Sequence, residues 1–462
     1  MAEVKLIDES RRPKDLSFRP PGIAAAFVGC GALAAVSFVI VPAAPGYDAW
    51  SWLIWGREAL SLDLSTAEGP AFKPLPVAVC ALLALFGEAA PALWVWFART
   101  GALLGVVLAA ALARRLAGGS RLAGGAAGAG VAFAGGYLGL AAGGGSEGLL
   151  VALVLLAVLS ALSEYPRTAL LCGAACGLLR VETWPFLLVA AAVAWRRGAL
   201  DKRLLGLALA LVPALWFVPE WLASGDPLRS ADRALVPNGG QPALADLPPL
   251  ASLREAAALF VVPVAAGLLG LLIARPRRGA VLMLGAAGGA WIVLVAGMSQ
   301  LGFSGEGRYS LPGVALLAIA GGVGLAGCAA RLSAPVARRA ATTALASLVV
   351  LAAVPHAAAL SVERSKLGYR ARLAADLREA VSDLGGARAL LGCGRPYVGH
   401  LRGPLLAWHL GVHKRQIGFA PRQPGVVFRS RLTARSAMTP APEPSFPQAI
   451  ATPTWQIGKA CG

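Results

Sequence analysis

Charge is scarce in this sequence. Only 14% of its residues are Asp, Glu, Lys or Arg, against about 25% in a soluble globular chain. With 57% hydrophobic residues over 462 positions, that scarcity excludes a soluble fold, because too little polar surface would remain to cover the core. Cys-x-x-Cys is also missing: Cys172 and Cys176 stand four apart in an apolar stretch, which excludes a thiol-redox centre. The glycine-rich run 139–148 has no preceding strand and no Gly-Lys-[Ser/Thr] ending, so it is not a phosphate-cradling loop. His409 and His413 have the i, i+4 spacing of zinc ligands, but the acid of a His-Glu-x-x-His motif and a third ligand are missing. No Asp-x-Asp pair follows the first apolar run. Nothing in the chain therefore demands a metal ion, and no cofactor is expected. No internal repeat is evident, which weighs against the paired halves of many transporters.

What the chain does have is apolar runs of about 20 residues, the length that spans a bilayer core. They predict eleven transmembrane spans: 22–42, 91–113, 122–142, 147–163, 168–180, 183–195, 204–222, 256–274, 280–298, 311–330 and 337–360. Residues 74–87 form a further apolar stretch of about 14, which suits a segment lying on the membrane. The first run is too long for a signal-peptide core, so it reads as a retained helix behind a charged tail, residues 1–21. Gly-Ala stretches such as AGGAAGAGVAFAGG predict close helix packing.

The distribution of basic residues sets the orientation. With the N-terminus inside and 74–87 not crossing, 19 Lys and Arg fall on the cytoplasmic side. They lie in the tail (Lys5, Arg11, Arg12, Lys14, Arg19) and at Arg114, Arg115, Arg121, Arg167, Arg196, Arg197, Lys202, Arg203, Arg275, Arg277, Arg278, Arg331, Arg338 and Arg339. The outer loops before residue 361 hold seven. That bias places the N-terminus in the cytoplasm and the C-terminus outside. It also accounts for the net charge of +18 without a nucleic-acid partner. Arg outnumbers Lys 35 to 7, as in chains from GC-rich genomes, so a bacterial plasma membrane is the expected location.

The expected organisation is an all-α polytopic membrane region, residues 22–360, followed by a small extracytoplasmic α/β domain, residues 361–462. In the latter, YRARLAADLREAVSDLGG has helical periodicity ending at Gly385-Gly386. ARALLGC, RQIGF and GVVFRS read as strands, and 439–453 as a Pro-rich loop. Cys30, Cys80, Cys172, Cys176 and Cys328 lie in apolar segments and read as packing residues. Cys393 and Cys461 stand in the polar C-terminal region and are a candidate disulfide if that region is outside.

The candidate chemistry sits in the outer loops. Asp48, in PGYDAWSWLIWGREAL, follows the first span. It is either an N-cap or a general base for an attacking hydroxyl. Trp50, Trp52 and Trp55 follow it, on what reads as an interfacial helix with an aromatic anchor. Glu147, between the third and fourth spans, is either a helix-starting acid or a second acid of a site. Arg308 and Tyr309, before the tenth span, suit a lipid-linked phosphate or a headgroup contact; Glu306 is placed to pair with Arg308. Lys73, in FKPLP, is a second cation for phosphate. Arg180 and Glu182, in LLRVETWPF, are charges in an apolar stretch that either pair or point into a cavity.

In that order these pieces resemble the GT-C superfamily of membrane glycosyltransferases that use polyprenyl-phosphate sugars. Protein O-mannosyltransferases and the aminoarabinose transferase of lipid A share the layout over about residues 22–330. The matching pieces are Asp48 in the first outer loop, the Trp-bearing helix 49–60, and Phe72-Lys73-Pro74 leading into a membrane-lying helix. Glu147 before the fourth span, LLRVETWPF between two half-length spans, and Arg308-Tyr309-Ser310-Leu311-Pro312 complete the series. The second acid here is Glu where relatives have Asp, the Asp-Glu pair of the O-mannosyltransferases is missing, and the resemblance places no counterpart for the C-terminal domain. The resemblance implies metal-independent, inverting transfer of a sugar from a polyprenyl-phosphate donor to an extracytoplasmic acceptor (a cell-envelope glycan, lipid or protein). It implies catalytic roles for Asp48 and Glu147. Lys73, Arg308, Tyr309, Trp52, Arg180 and Glu182 would contact substrate. The alternatives are a transporter, or a flippase or ligase for lipid-linked glycans.

Overall fold

The computed structural model describes residues 20–274, 279–332 and 334–462. The expected tail therefore lies almost wholly outside the described residues, and Arg275, Arg277 and Arg278 lie outside them too. Five described helical stretches are long and apolar enough to cross a membrane: Gly22–Val39, Gly87–Leu116, Lys202–Ser224, Gly279–Gln300 and Gly307–Ala330. The chain is a multi-pass membrane protein.

From the N-terminus, α1 (Pro20–Val36) is followed by α2 (Tyr47–Leu60), the short α3 (Pro74–Ala84) and the long α4 (Ala90–Leu116). Lys73 precedes two prolines at the start of α3, where their missing N–H groups cost nothing. The expected span 122–142 is two helices, α5 (Arg121–Ala132) and α6 (Tyr137–Ala142). Gly136, at φ 75°, turns the chain in the left-handed region open to glycine. Next come α7 (Glu147–Leu162) and the half-length pair α8 (Pro166–Gly177) and α9 (Trp184–Arg196), broken at Arg180 as the sequence suggested. After α10 (Lys202–Ser224) and α11 (Arg229–Ala234), the expected span 256–274 is divided between α12 (Pro248–Ala258) and α13 (Val262–Ala274). Pro263 lies in the first turn of α13, where a helix interior would have lost a hydrogen bond.

The transmembrane core packs backbone against backbone. On α15 (Leu311–Ala330), Gly321 and Gly324 lie against Gly267 of α13, with no room for a Cβ on either side. On α14 (Gly279–Gln300), a Cβ on Gly288 would sit 2.7 Å from the Gly313 carbonyl oxygen. Small residues permit this approach, and dispersion contacts rather than water release hold it in lipid.

The boundary expected at 360/361 has no break. Helix α16 (Pro335–Asp383) runs through it for 49 residues, because LSVERSKL changes polarity without supplying a helix stop. Beyond it, α17 (Gly386–Gly392), β1 (Arg395–Val398), α18 (Gly403–Leu410), β2 (Gly425–Arg431), β3 (Met438–Thr439), β4 (Gln448–Ala451) and β5 (Trp455–Ala460) form a small α/β unit. Its sheet runs β1-β2-β5-β4, with β3 on β2. Strands β1 and β2 are parallel, with Arg395 opposite Gly425, and the other pairs are antiparallel. GVVFRS is a strand as expected; ARALLGC is helix α17, and RQIGF is a turn touching β1 through Gly418. Ala389 and the two leucines after it suit either structure, and packing on α16 decides. Cys393 and Cys461 form a disulfide, with Cα atoms 4.4 Å apart.

This unit and α2 share one hydrophobic core. Trp50, Trp52 and Trp55 are 7%, 1% and 1% exposed, so they are not headgroup anchors. Trp50 packs 6.0 Å from Trp408, Trp52 lies edge-on to Trp94 at 5.3 Å, and Trp55 meets Phe72 at 5.8 Å. The C-terminal unit covers the face that sequence alone left to lipid.

Candidate functional site

Polar clips fasten that cover. Arg57 donates to the carbonyls of Trp408 and Val412. His413 lies between Glu58 at 2.9 Å and Asp63 at 3.1 Å, and Lys414 bonds Glu68 at 2.7 Å. His413 is thus spoken for, and His409 packs 5.9 Å from Trp50, while His400 stacks on Phe419. The three histidines do not converge. No group of three or more His, Cys, Asp or Glu among the described residues is placed to hold a metal ion.

Beneath the cover lies a cavity of about 2470 Å³, several times the volume that takes a drug-sized ligand. Asp48, Trp52, Lys73 and Glu147 line it, and so do Arg180, Glu182, Arg308 and Tyr309. The structure brings together all eight candidate contact residues, which the sequence scatters over some 260 positions.

Asp48 is the second residue of α2, behind an N-cap at Gly46 that receives no side-chain bond. Its carboxylate is therefore not the cap, and its side chain keeps 35% exposure toward the cavity. Glu147 opens α7 but does more than complement the helix dipole. Its Oε1 accepts from Arg180 at 2.9 Å and lies 3.8 Å from Arg308. Arg308 also reaches Asp48 at 4.0 Å and Glu306 at 2.9 Å. One guanidinium thus links both acids. Glu306 shares Arg308 without removing it from the cavity. Arg180 further pairs with Glu182 at 3.5 Å, and its guanidinium lies 4.0 Å from the Tyr309 ring centroid. The turn that carries Glu147 is tied to the turn that carries Asp48, since Gly46 donates to the Gly143 carbonyl at 2.9 Å.

Lys73 differs from the two arginines. No carboxylate lies within ion-pair distance of it among the described residues. Its ammonium sits 4.9 Å over the Trp52 ring, a cation–π contact. Burial, and then the Arg180 charge, push it down to about 8, against the opposing pull of Glu147 and Asp48. Trp52 Nε1 and Ser310 Oγ, both buried, have no hydrogen-bond partner.

Sequence reasoning missed a further buried acid. Glu220, fully buried in α10, accepts from Arg229 at 2.7 Å and from the Ser230 hydroxyl. Ser230 in turn accepts from the Phe72 amide at 2.7 Å, and Arg229 donates to the Pro70 carbonyl. This network pins α11 to the loop that carries Lys73. The signal was legible: an acid inside LWFVPEWLAS is costly unless paired. Along the same wall Trp184 and Trp216 both donate to the Gly177 carbonyl, which fixes two indoles on the cavity face.

No protein-family model matches the chain, and no curated protein sequence matches it either. Solved structures do. ArnT from Cupriavidus metallidurans bound to undecaprenyl phosphate aligns at a TM-score of 0.58 and 16% identity, over 95% of this chain and 98% of that one. The same protein in the apo state aligns at 0.56, with the same identity and coverage. The chain therefore has the fold of ArnT.

Proposed function

We propose that the chain is a membrane glycosyltransferase that moves a sugar from a polyprenyl-phosphate donor to an extracytoplasmic acceptor. The observation that carries this reading is the single cavity in which Arg308 links Asp48 and Glu147 while Lys73 stands without a carboxylate. The shared fold supports it, since ArnT was solved with a polyprenyl phosphate bound.

In this reading the acceptor oxygen attacks the anomeric carbon and Asp48 takes its proton. The bond from that carbon to the phosphate oxygen breaks, and the polyprenyl phosphate leaves with the electron pair. Lys73 and Arg308 stabilise the charge that builds there, so no general acid is needed. The anomeric carbon passes through an oxocarbenium-like state, as in other glycosyl transfers, and attack from the face opposite the phosphate inverts it. Glu147 is held too tightly by two arginines to act as the base; it fixes their orientation. The lipid tail would run along Trp184, Trp216 and Phe217. The charged tail would lie in the cytoplasm and the C-terminal unit outside.

The test uses purified chain in nanodiscs with radiolabelled polyprenyl-phosphate sugars and envelope glycans as acceptors. Asp48→Asn is expected to cut release of polyprenyl phosphate by about 100-fold or more while donor binding stays unchanged. Transfer at the wild-type rate would remove Asp48 from the mechanism.

A further inference from the structure

The donor chemistry occupies one end of the cavity. Its other wall is built by α16 and the C-terminal unit, and there the charges do not balance. Residues 361–462 carry 15 Lys and Arg against 5 Asp and Glu. Six of those cations line the cavity, and of those five acids only Glu363 does. Three are paired: Lys366 with Glu363, Arg378 with Glu88 and Lys414 with Glu68. Arg370, Arg402 and Arg435 have no carboxylate within ion-pair reach among the described residues. At the donor end, by contrast, Arg180 and Arg308 each contact at least two acids.

Arg402 is the most informative of the three. It is partly buried, and it donates to the carbonyls of Arg431 and Leu432, which fix the guanidinium in place. Its Nε is buried and has no partner. Burial, and to a lesser degree the Arg370 charge, lowers its hold on the proton against the opposing pull of Tyr369. A desolvated cation facing a second cation is costly unless an anion completes it. Arg370 stands between this wall and the reaction centre. It lies against Gly143, whose carbonyl binds the residue two before Asp48.

We propose that Arg370, Arg402 and Arg435 form the acceptor site, and that the acceptor is an acidic saccharide. Its phosphate or carboxylate would be gripped by paired guanidinium bonds, which would place a neighbouring hydroxyl toward Asp48. This rests on the proposed transfer reaction, and it makes the C-terminal unit a substrate-selecting part.

The test measures binding to the full chain in phosphatidylcholine nanodiscs, with undecaprenyl phosphate held at saturation so that the donor site is filled. The probes are a neutral disaccharide, its monophosphate and its uronate. At least one charged form should bind about tenfold more tightly than the neutral one. Arg370→Gln and Arg435→Gln, both exposed and free of structural bonds, should each erase most of that preference and leave undecaprenyl phosphate binding unchanged. Arg402→Lys should weaken it while keeping the positive charge. Equal binding of all three probes, or a preference untouched by Arg370→Gln and Arg435→Gln, would overturn the assignment. So would full displacement by phosphatidylglycerol in the nanodisc, which would give the wall to bilayer headgroups. Loss of undecaprenyl phosphate binding in the wild-type chain would instead count against the donor reading.

Discussion

Among the cations that line the cavity beside Asp48 and Glu147, Lys73 is the one with no carboxylate in ion-pair reach among the described residues. A buried ammonium without a counter-ion loses its proton easily, and here the value falls to about 8. Below that pH Lys73 is charged and can receive a phosphate; above it the charge is lost. Donor kcat/KM, which reports the free enzyme, should be flat from about pH 6 to 7.5 on this account and fall about tenfold per unit above 8.5. Lys73→Arg should abolish the fall in that range, because a guanidinium stays ionised. A fall that persists in Lys73→Arg would assign it to another group. Glu147 and Arg180 make the complementary case, a buried pair at 2.9 Å. Removing Arg180 leaves Glu147 only the longer Arg308 contact and takes the cation from Glu182, so Arg180→Met alone should cost about 3–5 kcal/mol. Adding Glu147→Gln should recover part of that loss, so that the two changes together cost less than their sum. Chemical unfolding in detergent checks this, and simple additivity would show that the pair is not coupled. Residue types carried this much in the sequence: acids and cations at the ends of apolar runs are expensive enough to be noticed. Which cation each acid holds was not legible, because Asp48, Glu147, Arg180 and Arg308 meet only through the tertiary fold.

At the scale of helices, the apolar runs located the five described helices long enough to cross a membrane, but the joints inside the other runs depended on local backbone. The break between α8 and α9 could be read from Arg180 and Glu182 in an apolar stretch. The break between α5 and α6 could not, since Gly135-Gly136 resembles the glycines around it and only φ 75° at Gly136 marks the turn. The same holds for packing. A Cβ on Gly148 would fall 2.6 Å from that of Ala102, one residue from Glu147, whereas Gly125 in α5 has nothing within 4 Å. Gly148→Val should therefore lower stability by about 1–3 kcal/mol through overpacking and displace Glu147 as α7 moves from α4. Gly125→Ala should raise stability by about 0.5–1 kcal/mol, because a helix prefers alanine. Melting in detergent reads both changes, and equal shifts of one sign would contradict the packing described for these two faces.

For the whole molecule, the tryptophans of α2 show how the C-terminal unit is joined to the membrane region. Aromatic residues beside a span fit a headgroup belt, and a sequence cannot show that 100 residues arriving much later will cover them. With Trp50, Trp52 and Trp55 inside a shared core, the loop that carries Asp48 and the C-terminal unit must lie on the same side of the membrane. That side is testable through thiols. Of the seven cysteines, Cys393 and Cys461 are paired, Cys30, Cys80, Cys172 and Cys176 are buried, and Cys328 is half-buried in α15. Glu443→Cys would put a thiol on the exposed Pro-rich loop. In intact cells a membrane-impermeant maleimide should label it, and Cys393 and Cys461 should resist alkylation until a reductant is added, since disulfides persist in oxidising compartments. The 15 basic residues of this region do not oppose that placement, because the charge rule governs short loops and long domains translocate regardless. Labelling only after cell lysis, with Cys393 and Cys461 reduced, would put Asp48 on the cytoplasmic face with them. Transfer to an external acceptor would then be impossible whatever the cavity holds.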